Sequence, residues 1–136
     1  MIHYPQVKLL TYTPNPEQVI VHATRTCYDS YSKSSPDTDC LLIQKCIGKG
    51  HESVLEHATA TFDILCSRVV SHELVRHRLA SYSQRSQRFV NEVGSDYFVL
   101  PPEIVERGEE ALVLYDTAMR TTWHVYQELI RLGISK

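Results

Sequence analysis

At 136 residues the chain is one domain's worth of sequence, long enough to bury a substantial core. Its 43% apolar and 22% charged residues, with no low-complexity tract, exclude a disordered or fibrous class, and no apolar run approaches the roughly 18 residues of a membrane span. A net charge of −2 and a pI near 6.4 exclude general polynucleotide binding through a basic surface, so any anion recognition has to be local.

The opening MIHYPQVKLL lacks the charged start and long apolar stretch of a signal peptide, which points to a cytoplasmic protein. VKLLTYT then reads as a strand. Asn15 and Pro16 form an N-cap and first-turn pair, and Val19, Ile20, Ala23 and Cys27 recur at helical spacing, predicting a helix from Pro16 to about Cys27. YDSYSKSSPDTD is a polar loop ending at an aspartate cap, Asp39, and CLLIQKCIG is a second helix stopped by Gly48 and Gly50.

After HESVLEH, the residues Ala58, Ala60, Phe62, Ile64 and Cys66 alternate with Thr59, Thr61 and Asp63, the period of a half-buried strand. Ser67 caps a helix through RVVSHELVRHR, with Val70 and Leu74 inward and the arginines toward its C-terminal end. ASYSQRSQRFVNE reads as a loop. LPPEIVERG is a short helix led by prolines. GEEALVLYDTAMRTTWHVYQELIRLG is a long amphipathic helix with a stripe of Leu112, Tyr115, Met119, Thr122, Tyr126 and Leu129, closed by Gly133.

Two constellations carry little chemistry. Cys27, Cys40, Cys46 and Cys66 form no CxxC pair and fall on apolar faces, the pattern of buried thiols rather than of zinc ligands or disulfides. His51 and His57 are six residues apart, whereas a helical zinc pair needs a spacing of four, so turn and cap hydrogen bonds account better for HESVLEH.

The stretch RHRLASYSQRSQRF, Arg76–Phe89, is different. It carries four arginines and no acid; removing their +4 from a total of −2 leaves −6 for the remainder. Ser81, Ser83, Gln84, Ser86 and Gln87 interleave with Arg85 and Arg88, and none of them suits a core. Such a run offers planar forks for phosphate, hydroxyl donors, and amides able to read a heterocycle edge. A phosphorylated nucleotide or dinucleotide fits it better than a polynucleotide.

RHRLASYSQRS fits the arginine-histidine-arginine, seven residues, serine signature of the flavin-dependent thymidylate synthases, the ThyX family. HESVLEH resembles that family's second hallmark at the expected distance, and SHELVRHR and SQRF fit as well. The match is close from Gly50 to Phe89 and looser outside. The resemblance implies an α/β (α+β) domain, 1–136, in which a small antiparallel sheet is flanked by helices. It implies a homotetramer whose active sites are shared between subunits. It also implies reductive methylation of dUMP to dTMP, with FAD, NADPH as reductant and methylenetetrahydrofolate as one-carbon donor.

Residue roles follow from the same resemblance. Ser53 matches a flavin-contacting position with His51 beside it. Arg76, His77 and Arg78 match residues that hold the flavin, and Arg76 also reaches the nucleotide. Glu73 matches a nucleotide-contacting position. Gln84, Arg85, Ser86, Gln87 and Arg88 resemble the dUMP cradle, with Gln84 also at the cofactor and Ser86 assigned to binding rather than attack. No metal is implied.

Two departures stand out. Ser83-Gln84 replaces the commoner Asn-Glu, keeping hydrogen-bonding reach without the charge. The family's chains also continue past the long helix into a region with a uracil-activating arginine, expected beyond Lys136, so the resemblance implies a C-terminally shortened synthase. The alternative is a non-catalytic nucleotide- or flavin-binding or assembly protein.

Overall fold

Side chains and backbone together decide where each element begins in the computed structural model, which describes residues 2–93 and 98–135. Among the described residues four strands, β1 (Ile2–His3), β2 (Gln6–Tyr12), β3 (Ala60–Leu65) and β4 (Phe98–Val99), combine with five α-helices. These are α1 (Pro16–Tyr28), α2 (Pro36–Gly48), α3 (Arg68–Leu74), α4 (Pro102–Arg107) and α5 (Glu109–Arg131). β2 pairs with β3 antiparallel, closed by a Thr13 N to Thr59 O bond of 2.8 Å, with Thr59 N donating to Thr13 Oγ1 at 2.9 Å. β1 pairs with β4 in parallel, with Ile2 opposite Phe98 and His3 opposite Val99. That second pair was not foreseen, because two-residue strands have no readable period.

The chain divides into two compact units, Lys8–Asp63 and Met1–Val7 with Ile64–Lys136. In the first, Ile20, Val21, Thr24, Arg25 and Cys46 are buried. α2 begins four residues earlier than its apolar run suggests, because Ser35 and Thr38 form a reciprocal capping box followed by Pro36. Asp39 is therefore not the cap; it sits in the first helical turn and receives the buried Arg25. Arg25 Nε donates to Asp39 Oδ1 at 2.9 Å, Nη1 to the Ser30 carbonyl at 2.9 Å and Nη2 to Thr38 Oγ1 at 3.2 Å. The Ser34 hydroxyl, then the Arg25 guanidinium, hold the Asp39 carboxyl below its ordinary value.

Asn15 precedes α1 as expected but does not cap it through its side chain. It adopts the left-handed region at φ 47°, and its carbonyl accepts from Gln18 N and Val19 N. α1 ends with Asp29 in the same region, φ 44°.

In the second unit Leu100, 1% exposed, lies beneath α5, and Leu100 N donates to His3 O at 2.8 Å. Tyr115 Oη donates to Val99 O at 3.0 Å, and burial pushes the Tyr115 hydroxyl up. Trp123 meets Phe98 edge-on at 6.4 Å and tilts against Tyr126 at 5.3 Å. The covered stripe of α5 thus contains Leu112, Tyr115, Met119 and Tyr126 as expected, but Trp123 and Ile130 replace Thr122 and Leu129, which are exposed. A straight helix turns 100° per residue, which sets Ile130 nearer the stripe's centre line than Leu129, while the ring contacts with Phe98 and Tyr126 hold Trp123 on the covered side. Gly133, φ 85°, closes the helix: its N–H bonds Ile130 O at 2.9 Å and Ile134 N bonds Leu129 O at 3.0 Å, a Schellman pair.

Three further expectations are corrected by burial. Cys27 and Cys40 are exposed and only Cys46 is buried. Val70 is exposed while Leu74 is half-buried. β3, read as half-buried, has Phe62 and Ile64 exposed, because none of the described residues covers them. Among the described residues no helix is long and apolar enough to cross a membrane.

Candidate functional site

α3 begins where Ser67 Oγ accepts from Val70 N at 3.3 Å, and it stops after seven residues. Beyond it, Arg76 N bonds Glu73 O and His77 N bonds Leu74 O, each at 3.1 Å, so the chain keeps turning for one more coil. At Leu79 the backbone then reverses through φ 64°, which places a bulky side chain in a region costing roughly 1–2 kcal/mol. The reversal turns Ala80 and Tyr82 back toward Arg76, His77 and Arg78, and these five residues line, with Val75 and Leu79, an open groove of about 750 Å³.

The groove's cations are presented outward. Among the described residues Arg76 is held by Glu73, at 3.2 and 3.3 Å, and both side chains are largely exposed, at 74% and 70%. His77 and Arg78 are exposed and make no hydrogen bond or ion pair with the described residues. The loop beyond is pinned at a few points. Gln84 Nε2 donates to Ser71 Oγ at 2.6 Å. Arg85 Nη2 donates to Glu92 Oε2 at 2.9 Å, and Glu92 N reaches Tyr126 Oη on α5 at 3.3 Å. Ser86 Oγ accepts from Arg88 N at 3.2 Å and Ser86 O from Val90 N at 3.1 Å, making a tight turn at Gln87 and Arg88. The Arg88 guanidinium lies 5.4 Å from the centre of the Phe89 ring.

His51 and Ser53 belong to the other unit. Gly50, φ 69°, ends α2 with Gly50 N to Ile47 O at 3.0 Å and His51 N to Cys46 O at 2.9 Å, so the helix end itself fixes His51. A 3-10 turn, Glu52–His57, follows and packs on α1 and α2. Its Val54 and Leu55 are half-buried, and His51, Ser53, Glu56 and His57 are left exposed. No group of three metal-ligating side chains occurs among the described residues.

The structure therefore brings Arg76, His77 and Arg78 together at one groove and hangs Gln84–Arg88 on the loop leaving it, with Glu73 at its edge. Sequence reading missed Ser71, Tyr82, Glu92 and Tyr126. Ser71 and Glu92 pair with residues 13 and 7 positions away, separations with no periodic signal. The acids absent from the arginine run are supplied by its flanks.

The family described as thymidylate synthase complementing protein matches residues 8–136. The chain belongs to that family. The chain is similar to the flavin-dependent thymidylate synthases of Pyrococcus abyssi and Geobacter sulfurreducens, each 38% identical over 95% of this chain, and of Mycolicibacterium gilvum, 40% identical over 93%. The match covers 57%, 59% and 51% of those relatives, so the chain spans a little over half their length. Among solved structures, a UMP/dUMP methylase PolB from Streptomyces cacaoi, bound with 5-Br dUMP, superposes with a TM-score of 0.81 over 98% of this chain and 65% of its own. At 18% identity that likeness establishes a shared fold. A thymidylate synthase complementing fold with an antiparallel strand pair and flanking helices is what the hallmark residues implied.

Proposed function

We propose that the protein takes part in flavin-dependent reductive methylation of dUMP to dTMP, with methylenetetrahydrofolate as one-carbon donor and NADPH as reductant. The observation that carries the reading is the groove in which Arg76, His77 and Arg78 converge with His77 and Arg78 unengaged by the described residues. Family membership and the relatives' flavin dependence support it.

The residues fit FAD. Two outward guanidinium forks and an imidazole suit a diphosphate, and the exposed turn bearing His51 and Ser53 offers polar contacts to a ring system. FAD, when bound, supplies the hydride chemistry. Arg76 and Arg78 neutralise phosphate and orient the bound molecules. Glu73 sets the pose of Arg76 and offers an acceptor at the nucleotide. Gln84, Arg85, Ser86, Gln87 and Arg88 cradle dUMP, the arginines and the side-chain amides meeting its phosphate and ring. Ser86 binds and does not attack: its oxygen is already an acceptor for Arg88 N, and no described carboxylate or imidazole takes its proton. No cysteine lines the groove, in keeping with chemistry that needs no thiolate.

We place the protein in the cytoplasm as a homotetramer with shared active sites, working on small molecules rather than polynucleotides or membranes. The apolar faces of β2 and β3 (Val7, Leu9, Leu10, Tyr12, Phe62, Ile64), uncovered in one chain, support assembly of copies. The test is to load purified protein with FAD, record the flavin absorbance band, and measure tritium release from 5-tritiated dUMP with folate and NADPH. Both signals are expected. Binding without release identifies the alternative, a nucleotide- or flavin-binding assembly protein; no flavin band removes the proposal.

A further inference from the structure

Gln84 stands where the chain departs from the commoner family signature, and its surroundings give that departure a meaning. Its Nε2 donates to Ser71 Oγ on α3 at 2.6 Å. The Ser71 proton is already committed, since Oγ donates to the Arg68 carbonyl at 3.0 Å. A hydroxyl in that state offers only lone pairs, so whatever reaches it has to be a donor. This fixes the sense of the Gln84 amide: nitrogen toward the helix, carbonyl oxygen away from it. Among the described residues Oε1 accepts no hydrogen bond, so it stays available to a ligand.

Glutamate would present an acceptor at this position by its charge. Glutamine tied to Ser71 presents one without charge. We propose that Ser71 is a positioning residue that locks Gln84 as a one-way acceptor, and that the group it reads is the N–H of a cyclic imide. The proposal rests on the function given above. Both rings of that function, uracil and isoalloxazine, carry such an N–H between two carbonyls. Cytosine has an unprotonated acceptor nitrogen at the corresponding ring position, which would face Oε1 lone pair to lone pair. A fixed amide discriminates between the two; a freely turning amide satisfies either.

The test compares wild type, Ser71→Ala and Ser71→Thr, with circular dichroism to establish equal folding. FAD binding is read by absorbance, and dUMP and dCMP binding to the FAD-loaded protein by calorimetry. If uracil is the imide read, Ser71→Ala narrows the preference for dUMP over dCMP by about three- to tenfold, the worth of one neutral hydrogen bond. If isoalloxazine is read, the same variant raises the Kd for FAD by a similar factor and leaves the nucleotide preference alone. In either case Ser71→Thr, which keeps the hydroxyl, restores the wild-type value. Equal weakening of dUMP and dCMP with FAD unchanged would place Gln84 on sugar or phosphate and overturn the proposal. Wild-type behaviour of Ser71→Ala, or a Ser71→Thr that fails to restore, overturns it too. Wild type that binds neither FAD nor dUMP sinks the function itself, and this inference with it.

Discussion

The polar groups of Arg25 and those of Arg78 show two opposite uses of one side chain. Arg25 is 4% exposed, and its donors end on Asp39, Thr38 and the Ser30 carbonyl. Arg78 is exposed and spends no donor on the described residues. The first guanidinium ties two helices together; the second leaves its fork available. A buried network that is fully satisfied specifies structure, whereas an unsatisfied set at the surface is an opportunity for a ligand.

Replacing Arg25 by Met breaks the comparison most sharply. It removes the guanidinium from Asp39, which keeps only the Ser34 hydroxyl among the described side-chain donors, and strips the Ser30 carbonyl of its Arg25 donor, so a fall in Tm on the order of 10 °C is expected in a thermal melt. Arg78→Gln is the mirror case: Tm within about 2 °C of wild type, but FAD affinity down about tenfold or more, since a charge-assisted hydrogen bond is lost. If Arg78→Gln melts early with binding intact, the two arginines have been assigned the wrong way round.

Acid sharpens the contrast. The Asp39 carboxyl titrates below its ordinary 3.8, so its contribution is present above that value and is lost as pH falls through the depressed one. Asp39→Asn should lack this component of the acid limb in a pH series of melts, whereas Arg78→Gln should keep it. Gly50→Ala comes next. A Cβ meets no atom within 4 Å, but φ is +69°, so about 1 kcal/mol of stability is expected to go in denaturant titration. The smallest effect belongs to Glu73→Gln. The exposed Glu73–Arg76 pair should change stability by less than about 0.5 kcal/mol, while nucleotide binding weakens measurably.

Much of the frame was legible from local rules. The strand at Val7, the helix from Pro16, the stop at Gly50, the cap at Ser67 and the Gly133 closure each rest on neighbours within a few residues, and such signals survive in any context. The start of α2 was missed because Ser35 and Thr38, which look like loop residues, cap each other reciprocally. Burial was less legible. Thr122 and Leu129 fell one position off the covered stripe, and Phe62 alternates as a core residue would although the described residues leave it exposed. The arginine run stood out by composition, and its family resemblance named the motif. The Gln84–Ser71 and Arg85–Glu92 ties could not be read, because nothing in a linear pattern marks which distant polar group a loop will find.

The reversal at Leu79 bears on any attempt to transplant this cationic tip onto another scaffold. A graft that copies only the side chains of RHRLA would relax at the leucine into ordinary extended or helical geometry, swinging the chain from Ala80 onward away from the two guanidinium groups. The donor backbone has to travel with them, or residue 79 has to become glycine, which accepts that dihedral freely but leaves the recipient with a looser hook.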